Sequence, residues 1–352
     1  MNLARQRLLQ AGLPTILVLL FAAVGAYQKC FDLDRSDSAL YAYGGFVLDA
    51  GGRLYRDIWD HKPPGAYVIN ALAMRLAGGP SWPAVVTADT VATLLAAAGC
   101  AALTWRISRR RVPPAIAAVV AAFYLDLAAL HEGGGMAEIY MAALLAWAAF
   151  GFVAGKTSPA HHTALLMLSG ALAGLAMLCK PIAGTILAAT AGTILFETLH
   201  SGAIRRVLLD KLQYLAGLAV PLLVVGGLFA LQGTLYEMID AALVYNLSYL
   251  QHGDGLAKFA RFHLRHNLFL LPALLVVLAA GSLLICQPRQ IPLQLRQRPW
   301  LVFLPLWLVL EWLGSYAGNY DNGQYMFGCV LPLACLVGLS VPYVRPTAIA
   351  RA

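Results

Sequence analysis

The residues with the most distinctive chemistry in this sequence lie between positions 29 and 81. The segment holds six of the 17 acidic residues: Asp32, Asp34, Asp37, Asp49, Asp57 and Asp60. Lys62 follows them and precedes Pro63-Pro64, and proline is favoured in a first helical turn. A helix start offers free N–H groups and the positive end of the helix dipole, so Lys62 predicts a phosphate site there. The alternative is an ion pair of Lys62 with Asp57 or Asp60.

Other polar residues occupy positions that suit either chemistry or structure. Asp37 precedes Tyr41 by one helical turn, so the two side chains can face one site, although Asp37 also suits a helix N-cap. Lys180 separates two apolar stretches at Cys179-Lys180-Pro181. Such a lysine either contacts an anion or extends its ammonium group to the membrane surface.

The composition indicates that membrane-spanning helices position these residues. The chain has 352 residues, 60% hydrophobic and 12% charged, with a mean hydropathy of +0.70. Soluble domains carry roughly 25% charged residues, so a water-soluble fold is excluded. We predict an all-α polytopic membrane protein, a single transmembrane domain over 1–352, with about ten spans. The predicted spans are 13–28, 82–105, 112–130, 136–154, 163–179, 181–198, 212–233, 267–286, 299–317 and 325–344.

The net charge of +8 is explained by the membrane topology and does not indicate nucleic-acid binding. With the N-terminus inside, 15 of the 25 basic residues fall in short inner segments, as the positive-inside rule requires. The inner side then holds only two acidic residues, Glu197 and Asp210. We therefore expect both termini in the cytoplasm, and a bacterial inner membrane fits best. The first apolar stretch is interpreted as a retained span rather than a signal peptide.

Two outer loops follow from this topology. The first, 29–81, is expected to carry the catalytic residues and two helices at the membrane surface, from Ser36 or Asp37 to about Leu48 and from Pro63 to Leu76. The second loop covers 234–266 and contains an amphipathic stretch at 236–250.

Acidic residues near or within the spans leave further alternatives open. Asp89 and Glu311 lie inside predicted spans, where a functional role and a hydrogen bond to a neighbouring helix are equally economical. His131-Glu132 could suggest a metal, but a solvated turn is the simpler interpretation. Asp32 and Asp34 form a DxD whose three letters are a weak metal signal. The six cysteines show no metal-ligand spacing, and we expect no metal or other cofactor.

The loop motifs together resemble the C-type glycosyltransferases of membranes, in the branch of the protein O-mannosyltransferases and aminoarabinose transferases (glycosyltransferase 39-like). The motifs are Tyr41-Ala42 after an acidic residue, Gly51-Gly52-Arg-Leu-Tyr55-Arg-Asp57, and Trp59-Asp60-His61-Lys62-Pro63-Pro64 before a surface helix. The resemblance covers 30–200 well and 300–340 weakly.

This resemblance implies roles for individual residues. The catalytic base of the family falls on Asp37, and a second acidic residue falls on Glu138, with Glu132 as its rival. The lysines that bind the donor phosphate fall on Lys62 and Lys180. The substrate-contacting positions are Tyr41, Tyr55, Asp60, His61 and Tyr325.

The resemblance further implies a hexosyl- or pentosyltransferase that takes its sugar from a polyprenyl-phosphate donor on the outer side of the membrane. The acceptor would be a lipid, glycan or protein, and the membrane lipids are the other expected partners. Two alternatives are a transporter or flippase of a lipid-linked sugar, and a non-catalytic subunit of an envelope-glycan assembly complex. Transporters tend to show internal repeats and broken helices at mid-membrane, whereas here repeats are not evident and most charge lies in one outer loop.

Overall fold

The computed structural model describes residues 3–32, 36–201, 204–247, 255–285, 298–316 and 322–344, and helices make up most of these ranges. The α-helices are α1 Leu3–Cys30, α2 Ser36–Asp49, α3 Gly65–Leu76, α4 Trp82–Ser108, α5 Val112–Leu125, α6 Ala137–Thr157, α7 His162–Cys179, α8 Gly184–Ser201, α9 Ile204–Leu231, α10 Leu235–Ile239, α11 Gly255–Ile285, α12 Phe303–Gly314 and α13 Phe327–Val344.

The all-α membrane architecture is confirmed. Among the described residues, eight helical segments are long and apolar enough to cross a membrane. They lie at Gly12–Cys30, Trp82–Ser108, Ala137–Thr157, Pro159–Cys179, Pro181–Leu199, Ile204–Leu231, Lys258–Ser282 and Gly323–Val341. The other two predicted spans coincide with shorter apolar helices at Val112–Leu125 and Pro299–Gly314.

The second predicted outer loop contains more helix than expected. α10 and a π-helical turn, Asp240–Tyr245, occupy its first part. α11 begins at Gly255, so it includes the last residues of the 234–266 segment. Residues 248–254 lie outside the described residues.

The two helices of the first loop, α2 and α3, pack closely on each other. A Cβ atom at Gly45 would lie 2.8 Å from the Asn70 Cβ, and one at Gly44 would overlap the Tyr67 ring. Glycine weakens a helix interior, so this pair is explained by the close approach of α3 rather than by helix propensity. The contact places the start of α2 beside the start of α3.

At the opposite end of the bundle, the two acidic residues predicted for the inner side share one lysine. Lys156 Nζ lies 2.6 Å from Glu197 Oε2 and 2.5 Å from Asp210 Oδ2. His162 Nε2 lies 2.7 Å from Asp210 Oδ1. These contacts join the ends of α6, α7, α8 and α9, and they give each of these side chains a polar partner.

α7 and α9 approach through glycines, as helices in membranes commonly do. A Cβ at Gly217 would overlap the Met167 carbonyl, and one at Gly170 would overlap the Tyr214 carbonyl. The backbones therefore touch directly.

Gly217→Ala is expected to separate α7 from α9 and to lower the free energy of unfolding by about 1–3 kcal/mol. Gly226→Ala on the same helix is the matched control, because nothing lies within 4 Å of the added Cβ. Denaturation of both variants in mixed micelles measures the difference. Equal stability of the two variants would contradict the direct backbone contact.

Candidate active site

The site forms where the start of α3 meets the end of α7. Gly65 begins α3, and a Cβ there would lie 2.6 Å from the Leu178 carbonyl oxygen and 2.8 Å from the Cys179 nitrogen. Only glycine permits this approach. As a result Lys62, three residues before Gly65, and Lys180, just after α7, reach the same cavity.

That cavity has a volume of about 270 Å³. Its charged and aromatic lining comes from residues predicted from the sequence: His61, Lys62, Glu138, Lys180 and Tyr325. Binding sites for drug-sized ligands occupy roughly 300–1,000 Å³, so this cavity lies just below the lower end of that range.

Lys180 is held between an acid and an aromatic ring. Its ammonium group contacts Glu138 Oε1 in the first turn of α6 and lies 4.0 Å from the centre of the Tyr325 ring. Glu138 is buried. The carboxylate and the ring thus fix a cation at the cavity wall.

Lys62 lies beside the residue predicted to be the base. Its Nζ is 3.4 Å from Asp37 Oδ1 and 3.7 Å from Asp60 Oδ2. Asp57 does not contact it and instead accepts a hydrogen bond from the Arg53 backbone nitrogen at 2.7 Å. Of the two acids proposed as ion-pair partners, the structure therefore selects Asp60. Asp37 itself is not among the residues that line the cavity.

Asp60 organises the segment before α3. It accepts hydrogen bonds from the Tyr67 hydroxyl and, at 2.7 Å, from the His61 backbone nitrogen. Burial acts to raise the pKa of Asp60, but the hydrogen bonds from His61 and Tyr67 and the nearby Lys62 ammonium outweigh it and lower the pKa below its usual value. Asp60 therefore remains ionised and holds Lys62 in place.

Tyr41 and Tyr55 support the site from outside the cavity. The Tyr55 hydroxyl donates to the Lys62 carbonyl at 2.8 Å. The Tyr41 ring lies 5.5 Å from Lys62 Nζ. Burial, together with the negative charges of Glu138 and Asp37, raises the pKa of the Tyr41 hydroxyl, which stays neutral.

Asn246 and Gln324 are polar lining residues that were not singled out from the sequence, although Asn246 lies in the predicted amphipathic stretch 236–250. Asn246 Nδ2 donates to the His61 carbonyl at 2.6 Å and so attaches the second predicted outer loop to the site. Gln324 Nε2 donates to Glu132 Oε2 at 3.3 Å. Their polar amides beside aromatic residues were the available signal.

The acidic residues predicted to lie within the spans contact other side chains outside the cavity. Glu311 accepts hydrogen bonds from Thr185 at 2.5 Å and Trp307 at 2.8 Å. Thr185 is on α8, so Glu311 makes the hydrogen bond to a neighbouring helix that was one of its two predicted roles. Asp89 pairs with Lys29. Across the described ranges, no three His, Cys, Asp or Glu side chains come together in a metal-binding group. Asp34 lies outside these ranges.

Known proteins match this chain in sequence pattern and in fold. The family described as dolichyl-phosphate-mannose-protein mannosyltransferase matches residues 61–228, which include Lys62, Glu138 and Lys180. ArnT from Cupriavidus metallidurans superimposes with a TM-score of 0.63 in the apo state and 0.60 with undecaprenyl phosphate bound, at 17% and 16% identity. The chain has the fold of the C-type membrane glycosyltransferases. No curated protein matches it significantly.

The C-type fold extends to a more distant protein. An oligosaccharyltransferase of Archaeoglobus fulgidus, tethered to an acceptor peptide, superimposes with a TM-score of 0.54 at 13% identity. The superpositions include 95–96% of this chain, but 61–62% of the ArnT chains and 50% of the archaeal one. The chain therefore spans about three-fifths of the length of ArnT.

Proposed function

We propose that this protein is an inverting glycosyltransferase that takes a hexose or pentose from a polyprenyl-phosphate donor. The observation that carries the proposal is the convergence of Lys62 and Lys180 on one cavity, with Asp37 3.4 Å from Lys62. Support comes from the mannosyltransferase family match and from the ArnT structure with undecaprenyl phosphate bound. The reaction is placed on the outer side, in a bacterial inner membrane with both termini cytoplasmic.

The chemistry assigns each residue one task. Asp37 accepts the proton of the acceptor hydroxyl as its oxygen forms a bond to C1 of the sugar. The bond from C1 to the phosphate oxygen breaks, and polyprenyl phosphate leaves with that electron pair. Lys62 and Lys180 stabilise the negative charge that develops on the phosphate.

Glu138 is proposed as the second acidic residue, in preference to Glu132. Glu138 lines the cavity and contacts Lys180, whereas Glu132 contacts Gln324. A carboxylate at this position can accept hydrogen bonds from sugar hydroxyl groups while it orients Lys180. The substrate contacts are assigned to His61 and Tyr325 on the cavity wall, with Tyr41, Tyr55 and Asp60 behind them. The acceptor is a lipid, glycan or protein, and no cofactor is assigned.

The deciding experiment follows the donor lipid. In cells that lack the protein, lipid mass spectrometry is expected to show accumulation of one polyprenyl-phosphate sugar, whose mass identifies the sugar. In vesicles containing the purified protein, that lipid should be converted to free polyprenyl phosphate and a glycosylated acceptor. Translocation of the intact lipid without cleavage would establish the flippase alternative, and no change in either assay would favour the subunit alternative.

Tyr325 offers a test of the aromatic contact with Lys180. Tyr325→Leu removes the ring and is expected to raise the donor KM roughly 2- to 30-fold, since a cation–π contact contributes about 0.5–2 kcal/mol. Tyr325→Phe keeps the ring and should stay close to wild type. If both variants raise the KM equally, the hydroxyl rather than the ring is the important group.

A further inference from the structure

Three charged residues meet inside the bundle, at the end where α1 leads into the first loop. Lys29 Nζ, in the last turn of α1, lies 2.6 Å from Asp89 Oδ1 on α4 and 2.7 Å from Asp126 Oδ1, which follows α5. All three are buried. Gly25, one helical turn before Lys29, leaves the space that the Asp126 carboxylate fills. We call these residues the Lys29 triad.

The triad contacts the turn that leads into α6. Asp89 uses its second oxygen, Oδ2, to accept a hydrogen bond from the Gly135 backbone nitrogen at 2.9 Å. Asp126 makes no such contact with this turn in the described structure. Asp89 therefore links the ion cluster to residues 133–135, whereas Asp126 contacts Lys29 and lies beside Thr93.

The same turn contacts both helices of the first loop. Ser38 Oγ, next to Asp37 in the chain, donates to the Gly134 carbonyl at 2.5 Å. Asn70 Nδ2 on α3 donates to the Gly135 carbonyl at 3.3 Å. Three residues after Gly135, the chain reaches Glu138 in the first turn of α6.

The turn has little freedom to move within this packing. Gly133 and Gly135 have φ angles of +96° and +73°, which L side chains rarely adopt. A Cβ on Gly133 would lie 2.9 Å from Ser38 Oγ, and one on Gly135 would overlap Val85. A displacement of the Gly135 nitrogen would therefore be transmitted to Ser38 and to the start of α6.

We infer that Asp89 is a positioning residue that, held by Lys29, fixes the 133–135 turn and through it the relative placement of Asp37 and Glu138. The inference rests on the proposed function for the roles of those two residues. The interior ion cluster thus acts on the reaction without touching substrate.

Asp89→Asn and Asp126→Asn make a matched pair of variants. Each removes one carboxylate, and each leaves Lys29 paired with the other one. In Asp89→Asn a single amide oxygen faces two donors, Lys29 Nζ and the Gly135 nitrogen. The amide NH₂ must then oppose one of them, because it cannot accept a hydrogen bond. In Asp126→Asn the amide oxygen can keep the Lys29 contact. The amide NH₂ then takes the place of Oδ2 beside the Thr93 hydroxyl, which can accept a hydrogen bond from it.

The first measurement is hydrogen exchange of a peptide covering 131–138 in the purified, membrane-reconstituted protein. Asp89→Asn should accelerate exchange at least tenfold, and Asp126→Asn should stay within about threefold of wild type. The second measurement is sugar transfer from the polyprenyl-phosphate donor identified in the accumulation experiment. Asp89→Asn should lower kcat about 100-fold with little change in donor KM, as expected when catalytic groups shift by about 1 Å.

The outcomes distinguish a failure of the positioning role of Asp89 from a failure of the proposed glycosyltransferase function. Equal exchange and equal kcat in the two variants would overturn the positioning role of Asp89. Equal losses of kcat with equal loss of thermal stability would also overturn it, since a purely structural cluster would respond that way. A wild-type protein with no transfer activity would instead defeat the proposed function. The exchange comparison would still decide whether Asp89 holds the turn.

Discussion

Asp37→Asn is expected to lower the rate of sugar transfer by about 10²–10⁴-fold, the range that general base catalysis contributes. Asparagine keeps the size of the side chain and an oxygen for Lys62, but its amide cannot accept the proton of the acceptor hydroxyl. The fold should survive, because Asp37 is a partly exposed residue in the first turn of α2. Donor cleavage in vesicles, with the variant and wild type at equal protein amounts, measures the effect.

Asp49→Asn is the control for Asp37→Asn, since it changes an aspartate of the same helix to asparagine. Asp49 pairs with exposed Arg75 at 3.1 Å at the other end of α2. It should retain wild-type transfer, because exposed ion pairs contribute only about 0–1 kcal/mol. If Asp37→Asn retains more than a tenth of wild-type activity, Asp37 is not the base, and Glu138 becomes the next candidate.

The architecture could be predicted from the sequence because the length of each apolar stretch determines whether it spans the membrane. Backbone polar groups in lipid must be satisfied within each span, so a long apolar stretch can only be a helix. The helix bounds were less predictable. α5 was expected to extend to residue 130 but ends at Leu125, where Asp126 turns towards Lys29. That stop depends on a tertiary partner 97 positions away.

The lysines of the candidate site were visible because local sequence marks them. Lys62 precedes two prolines, and Lys180 interrupts two apolar stretches, so each has an unusual neighbourhood. What local sequence could not show is that α3 and α7 meet at Gly65. A glycine at a helix start has many explanations, and only the packing shows that a Cβ would collide with the end of α7.

The partner of Asp89 was missed for the same reason. Lys29 was assigned to the start of the outer loop, where a lysine is unremarkable, whereas the structure buries it in the last turn of α1. The predicted topology offered a clue, because it puts Lys29 at the outer end of the first span and Asp89 about two turns into the second. A buried acid requires a partner, and Lys29 was one of the basic residues that this arrangement brings to the same end of the bundle.

Lys29→Met is expected to lower the free energy of unfolding by about 3–5 kcal/mol, the usual cost of removing one partner from a buried ion pair. Methionine fills the volume of the lysine side chain, so the loss is electrostatic rather than a cavity effect. Asp89 and Asp126 would then face each other in the interior without a cation. Reversible denaturation in mixed micelles measures the loss, and the amount of folded protein recovered from membranes provides a second readout.

The triple variant Lys29→Met, Asp89→Asn, Asp126→Asn separates charge from packing. It removes all three charges while keeping the side-chain volumes, and the amide introduced at position 89, with no lysine to contact, can turn its oxygen to the Gly135 nitrogen. The triple variant should therefore recover more than half of the stability that Lys29→Met loses, along with the slow exchange of residues 131–138. Lys29→Met with wild-type stability would show that the cluster carries no net interaction. A triple variant as unstable as Lys29→Met would show that the ammonium group itself, rather than charge balance, holds α1, α4 and α5 together.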